Sequence, residues 1–196
     1  YTPMGLTAEF VSERFSVSRE DQDAFAVESH RRALAAQAAG NFVDEIVPIT
    51  VTTWEGGTPK EVVFDTDEGP RESTVEGMAR LKSPFKAGGT VTAATSSQVS
   101  DGAAAVLVMA REKAEALGLP ILGVLRQYQV VGVAPDIMGV GPLYAIPKAL
   151  EKAGLSVDDI DVFEINEAFA AQAIYCVREL GIDPAKVNPN GGAIAL

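Results

Sequence analysis

The pattern of apolar and polar positions changes character along the chain. Between Ser18 and Gly40 the run DQDAFAVESHRRALAAQAA carries helix punctuation: Ser18 can cap, Asp21 sits three residues on, and Gly40 supplies a stop. The spacing predicts a helix there. Next, FVDEIVPITVTTW (42–54) and EVVFDT (61–66) alternate apolar and polar residues as half-buried strands do, with the turn-forming EGGTPK between them. Polar, glycine-bearing connections over 67–89 lead to TVTAATSSQ (90–98). From Asp101 the texture shifts. GAAAVLVMA (102–110) is short, continuous and apolar, as expected of a strand covered on both faces, and REKAEALG follows as a helix ended by Gly118. The alternation recurs: ILGVLRQYQVVG (121–132) reads as a strand, GPLYAIPKALEKAG (141–154) as a helix opened by Pro142 and closed by Gly154, and DVFEI (161–165) as another buried strand. AFAAQAIYCVREL (168–180) is the next helix, with Gly181 as its stop. Alternating strands and helices predict a layered α/β architecture.

Composition narrows the picture. With 196 residues, 47% of them apolar, the chain can bury the core of one domain or two small ones. A formal net charge of −11, with no lysine or arginine run, gives no electrostatic footprint for nucleic acid or anionic lipid. One cysteine and one histidine exclude a disulfide framework and a zinc-ligand cluster, so no metal is expected and a reducing compartment is the default. The longest apolar run falls far short of the ~20 residues that span a bilayer, so no membrane partner is expected. The chain starts at Tyr1 and stops at Leu196 inside a glycine-rich apolar segment, and both ends read as cut.

The candidate chemistry gathers at EINEAFAAQ (164–172), where the apolar strand pattern gives way to an alanine-rich helix. Asn166 and Glu167 fall at the carboxyl end of a predicted strand, the usual ligand crevice of α/β sheets. The plainer reading makes Asn166 a helix N-cap. The functional reading has its amide hold a water or a carbonyl oxygen, donating without titrating, while Glu167 braces backbone or a catalytic group. NPNGGAIAL (188–196) offers adjacent glycines that let backbone N–H groups approach a ligand, or simply a turn. The small and hydroxylated residues of 90–105 can line a channel or pack tightly. His30, mid-helix, reads as a solvated histidine, Trp54 as a strand-end packing residue, and Asp158-Asp159 as a helix or turn cap. Cys176 reads as a small buried hydrophobe.

Together these stretches resemble the thiolases, and within them the degradative 3-ketoacyl-CoA thiolases of peroxisomal type. MGLTAE (4–9), SREDQDAFAVESHRRALAAQAAGNFVDEIVPI (18–49), DEGPR (67–71), GTVTA (89–93), SDGAAA (100–105), DIMGVGP (136–142), INEAFA (165–170) and NPNGGAIAL follow the family's order over nearly the whole chain. The resemblance implies a partial thiolase-like layered αβαβα fold whose loop domain covers the acyl-CoA site. Residues 1–99 would be most of that loop domain, 100–122 the end of the N-terminal half, and 123–196 a truncated C-terminal half.

Thiolase chemistry uses a nucleophilic cysteine, a histidine that activates it, and a second cysteine as general acid and base. None falls at a matching position here, and Cys176 matches none of them. The resemblance therefore implies an inactive fragment of an acyltransferase that yields acetyl-CoA in fatty-acid β-oxidation. In the family, the asparagine matching Asn166 orients a water that completes an oxyanion hole, and the glutamate matching Glu167 organises the site. Positions matching the coenzyme A contacts are Met4, Arg71, Phe85, Ala93, Ser97, Met138, Ala168 and Phe169. Ser97 would hydrogen-bond the pantetheine, Arg71 would lie near the nucleotide, and Phe85, Met138 and Phe169 would form apolar walls. Two departures stand out: Pro3 where many members carry histidine before Met-Gly, and Thr95-Ser96-Ser97 where many carry Asn-Ala-Ser.

No permanently bound cofactor is implied; coenzyme A and acyl-CoA enter as substrates. A homodimer or homotetramer is implied for the intact protein, in a bacterial cytoplasm or a peroxisome. The alternatives are a biosynthetic acetoacetyl-CoA thiolase and a non-catalytic acyl-CoA-binding protein on the thiolase fold.

Overall fold

The regular structure of this chain is mainly helical, and the helix ends follow the sequence punctuation. The computed structural model describes residues 2–196. Helix α1 spans Met4–Arg14 and α2 spans Arg19–Ala39. The Ser18 hydroxyl accepts from the Asp21 N–H at 3.0 Å, and Gly40 closes α2 in the left-handed conformation. The short helix α3 (Val75–Met78) is capped by Thr74. Helix α4 (Arg111–Ala116) and helix α5 (Gly141–Ala153) follow, the latter with Pro142 in its first turn and Gly154 as its stop. Helix α6 spans Ala170–Glu179. Ser156 and Asp159 form a reciprocal cap around the 3₁₀ turn Val157–Asp159, the capping role expected of the acidic pair.

Strands depart further from expectation. The one sheet among the described residues is the antiparallel hairpin β1 (Ile49–Glu55) and β2 (Thr58–Phe64), turned at Gly56-Gly57. It is not half-buried. Most of its residues are exposed, and Trp54, expected to pack, is 69% exposed. Residues 42–45 form turn and 46–48 no regular structure, rather than strand. The apolar runs 102–110 and 121–132 form no ladder, and Leu107 and Leu122 lie 78% and 98% exposed. Their composition suits a strand covered on both faces, but among the described residues no segment pairs with them. DVFEI gains one parallel bridge, Phe163 to Val187.

The core lies where α1, α2 and α6 meet. Ala26, Met78, Ala94, Ala170 and Ile194 form one buried cluster; Phe163, Ile165, Val177, Ile182 and Val187 form a second. Val11, Val140 and Cys176 form a third, beside the stacked Phe15 and Tyr175 rings at 4.0 Å. Arg19 ties α2 to the α3 region: its guanidinium pairs with buried Asp23 and donates to the Met78 and Leu81 carbonyls. The buried face of α2 comprises Gln22, Asp23, Ala26, Ser29, His30, Ala33 and Ala36, a stripe of small and polar residues. His30 is therefore not solvated. It is 1% exposed, its Nδ1 accepts from the Arg71 N–H at 3.4 Å, and burial, with the Arg71 charge second, lowers its pKa.

Candidate active site

Residues 163–167 run extended, so successive side chains take opposite sides. Phe163, Ile165 and Glu167 point inward, while Glu164 and Asn166 face out. That parity separates Asn166 from Glu167. Asn166 is not a helix cap: the position preceding α6 is Phe169, with no side-chain cap, and the Asn166 side chain makes no hydrogen bond within the described residues. Its backbone carbonyl accepts from the Gln172 side-chain amide at 3.3 Å.

Glu167 is 2% exposed and braces the following turn. Its carboxylate accepts from the Ser29 hydroxyl at 2.7 Å, the Asn188 amide at 2.8 Å and the Ile194 N–H at 3.2 Å. Asn188 in turn acts as a strand neighbour to Ile165. Its side chain accepts from the Ile165 N–H and donates to the Ile165 carbonyl, both at 2.8 Å, extending the Phe163–Val187 bridge by one residue. A side chain on Gly192 would overlap the Glu167 carboxyl, so this second glycine lets the turn close on the carboxylate. The glycine pair thus serves a tightly packed turn.

The outward face opens into a cleft of about 450 Å³. Met4, Met138, Asn166, Ala168 and Phe169 all line it, as does Gln172. Phe85 meets Phe169 edge-on with ring centroids 6.1 Å apart. Ser97 is joined to the cleft by its backbone, whose N–H donates to the Ala168 carbonyl at 3.0 Å. Ala93, exposed at the start of a 3₁₀ turn, and Arg71, exposed beside His30, lie outside the cleft lining. Glu164 also lines the cleft; burial, reinforced by the Glu167 carboxylate, pushes its carboxyl above the usual range.

Gln172, Ser29 and Asn188 carry no local signal of these contacts. Each is a neutral polar residue whose role depends on a partner distant in the chain. The helical positions of Ser29 and Gln172 and the NPNGG turn were the only available signals. A second cleft of about 570 Å³ lies on the other side of Glu167, walled by Phe25, Ile174, Val177, Ile182 and Val187.

Cys176 is fully buried, and desolvation pushes its thiol up to about 11. Such burial favours the protonated thiol over the nucleophilic thiolate. Among the described residues, no group of three His, Cys, Asp or Glu side chains is placed to hold a metal ion. No helix among the described residues is long and apolar enough to cross a membrane.

Comparison with known proteins gives the chain's relatives. The family described as "Thiolase, N-terminal domain" matches residues 1–112, and "Thiolase, C-terminal domain" matches residues 119–196. The rat peroxisomal 3-ketoacyl-CoA thiolase B is 64% identical over 196 residues, covering 99% of this chain and 46% of the rat protein. The 3-ketoacyl-CoA thiolase of Bacillus subtilis is 56% identical over 202 residues, covering 100% of this chain and 52% of its own length. The crystal structure of the dimeric peroxisomal thiolase of Saccharomyces cerevisiae superposes with a TM-score of 0.92 at 53% identity, covering 99% of this chain and 48% of that one. The Bacillus anthracis acetyl-CoA acetyltransferase gives 0.95 at 46% identity, covering 100% and 49%. The chain spans about half the length of these relatives. Its fold is the matching part of the thiolase fold, and the chain belongs to the thiolase family.

Proposed function

We propose that this chain is part of a degradative 3-ketoacyl-CoA thiolase. The whole protein cleaves a 3-ketoacyl-CoA with free coenzyme A, giving acetyl-CoA and a shortened acyl-CoA, as in fatty-acid β-oxidation. The observation that carries this reading is an outward-facing amide, Asn166, with no side-chain hydrogen bond among the described residues, on the wall of an apolar cleft and next to a buried Glu167 braced by three donors. A donor held on such a base suits a charge that develops during reaction, because it needs no reorganisation. Asn166 would orient a water toward the thioester oxygen. Met4, Met138, Ala168 and Phe169, with Phe85 behind, would enclose the pantetheine arm. Arg71, Ala93 and the Ser97 hydroxyl would contact coenzyme A further out.

The remainder of the reading concerns the whole protein. Its segments 1–99, 100–122 and 123–196 would be loop domain, N-terminal half and C-terminal half of a layered αβαβα fold. The unpaired runs 102–110 and 121–132 would then be sheet strands of the two halves. The nucleophilic cysteine, activating histidine and acid-base cysteine would come from outside this segment, which alone would be inactive. A homodimer or homotetramer is in keeping with the dimeric yeast thiolase, and a peroxisomal or bacterial cytoplasmic setting with the rat and Bacillus relatives.

Thiolysis assays on the full-length protein and its Cys176→Ala variant test the assignment of chemistry. Turnover of 3-ketoacyl-CoA that survives the substitution is the expected result. Turnover lost in a variant that remains folded would make Cys176 the nucleophile and overturn the reading. Comparing long with short 3-ketoacyl substrates separates the degradative enzyme, which takes both, from an acetoacetyl-CoA enzyme.

A further inference from the structure

We infer that Glu9 is a positioning residue for the cleft: its buried carboxylate holds the segment 83–92 so that Phe85 stays packed against Phe169. The inference rests on the acyl-CoA reading of the cleft. Glu9 is 0% exposed, and among the described residues it has no cationic partner. Neutral donors satisfy it instead. Oε1 accepts from the Ser83 hydroxyl at 2.8 Å and the Val91 N–H at 3.0 Å, while Oε2 accepts from the Thr90 N–H at 2.9 Å and, more weakly, the Thr90 hydroxyl at 3.4 Å. All of these donors belong to one segment, and Glu9 belongs to α1. The carboxylate is thus the buried polar joint between them, with the Ser12–Thr90 hydroxyl bond and the more exposed Lys86–Glu13 ion pair beside it.

Phe85 lies between Ser83 and Thr90, inside the loop the carboxylate fixes. Its ring lies directly over Gly5, one turn before Glu9, so close that a Cβ there would overlap it. It also meets the ring of Phe169 edge-on. Beyond Thr92 the same segment is pinned again, by the Ser96–Phe169 bridge and the Ser97 N–H on the Ala168 carbonyl. Both fixed points flank the cleft wall. Losing the joint at Glu9 would free the Phe85 end while leaving Ala168 and Phe169 in place.

An amide cannot replace this carboxylate, because one of its two ends must donate toward a backbone N–H or a hydroxyl that already donates. Glu9→Gln keeps the volume and removes the joint. In steady-state thiolysis by the full-length protein, the variant is expected to raise KM for coenzyme A about tenfold, a change of affinity, with kcat within about twofold of wild type. If Glu9 acts through Phe85, the substitution adds little to KM in a Phe85→Ala background. Ser83→Ala, which deletes one donor and leaves the rest of the joint, should raise KM about threefold; it carries the test if Glu9→Gln does not fold. Unchanged KM in Glu9→Gln or Ser83→Ala, or a rise of equal size with and without Phe85, would overturn the inference while leaving the thiolase reading intact. Absence of thiolysis in the wild-type protein would instead overturn that reading, and this inference with it.

Discussion

Asn166→Ala in the full-length protein is expected to lower kcat for thiolysis by roughly 10²–10³-fold, the usual cost of removing one oxyanion donor. The KM for coenzyme A should change little, because the lost interaction forms with charge that develops in the transition state rather than with the bound substrate. The fold should tolerate the change: the side chain is exposed and makes no hydrogen bond within the described residues, and surface substitutions of that kind stay within about 0.5 kcal/mol. Asn166→Asp sharpens the test. It keeps the shape, exchanges the donor for an acceptor, and sets a negative charge where negative charge must develop. It should therefore be at least as slow as the alanine variant. Steady-state kinetics with a thermal melt of each variant decides the matter.

Glu167→Ala should act on stability first. The carboxylate accepts from Ser29, Asn188 and Ile194, and its loss leaves three buried donors without that acceptor. At ~1–3 kcal/mol for each unsatisfied buried group, with partial relief from rearrangement, the expected cost is about 3–5 kcal/mol. That is a large part of the roughly 5–15 kcal/mol by which domains are stable. Glu167→Gln keeps the volume and sets its amide against a single donor, so it should cost about 1–3 kcal/mol. Denaturant unfolding measures both. Equal, small losses in the two variants would mean that the carboxylate does not brace the 188–196 turn.

Legibility in the sequence follows the range of the interactions. Helix ends were readable because Ser18, Pro142, Gly154 and Gly181 act within a turn of their own position. The hairpin was readable from Gly56-Gly57 and alternation, but its exposure was not, since alternation says which residues share a face and not whether anything covers it. Runs 102–110 and 121–132 have strand composition without a strand partner in this chain. His30 misled because the buried stripe of α2 is built from alanine, serine and glutamine, so no apolar pattern marks it. At the site, position and residue type pointed to Asn166 and Glu167 together. Only the alternation of an extended segment divides them into a face-out donor and a face-in brace. Glu9 lies in a helix whose other buried positions include Thr7 and Ser12, so no apolar pattern marks it as buried. Its partners lie more than seventy residues away.

The central claim is that acyl-CoA binds on the Asn166 face of the 163–167 segment. The most direct measurement is a crystal structure of the full-length protein with coenzyme A bound. The account predicts the pantetheine arm between Met4, Met138 and Phe169, its sulfur end toward Asn166, with a water on the Asn166 amide. Coenzyme A seated in the cleft behind Glu167, against Phe25, Ile174 and Val177, with the Asn166 face empty, would contradict it.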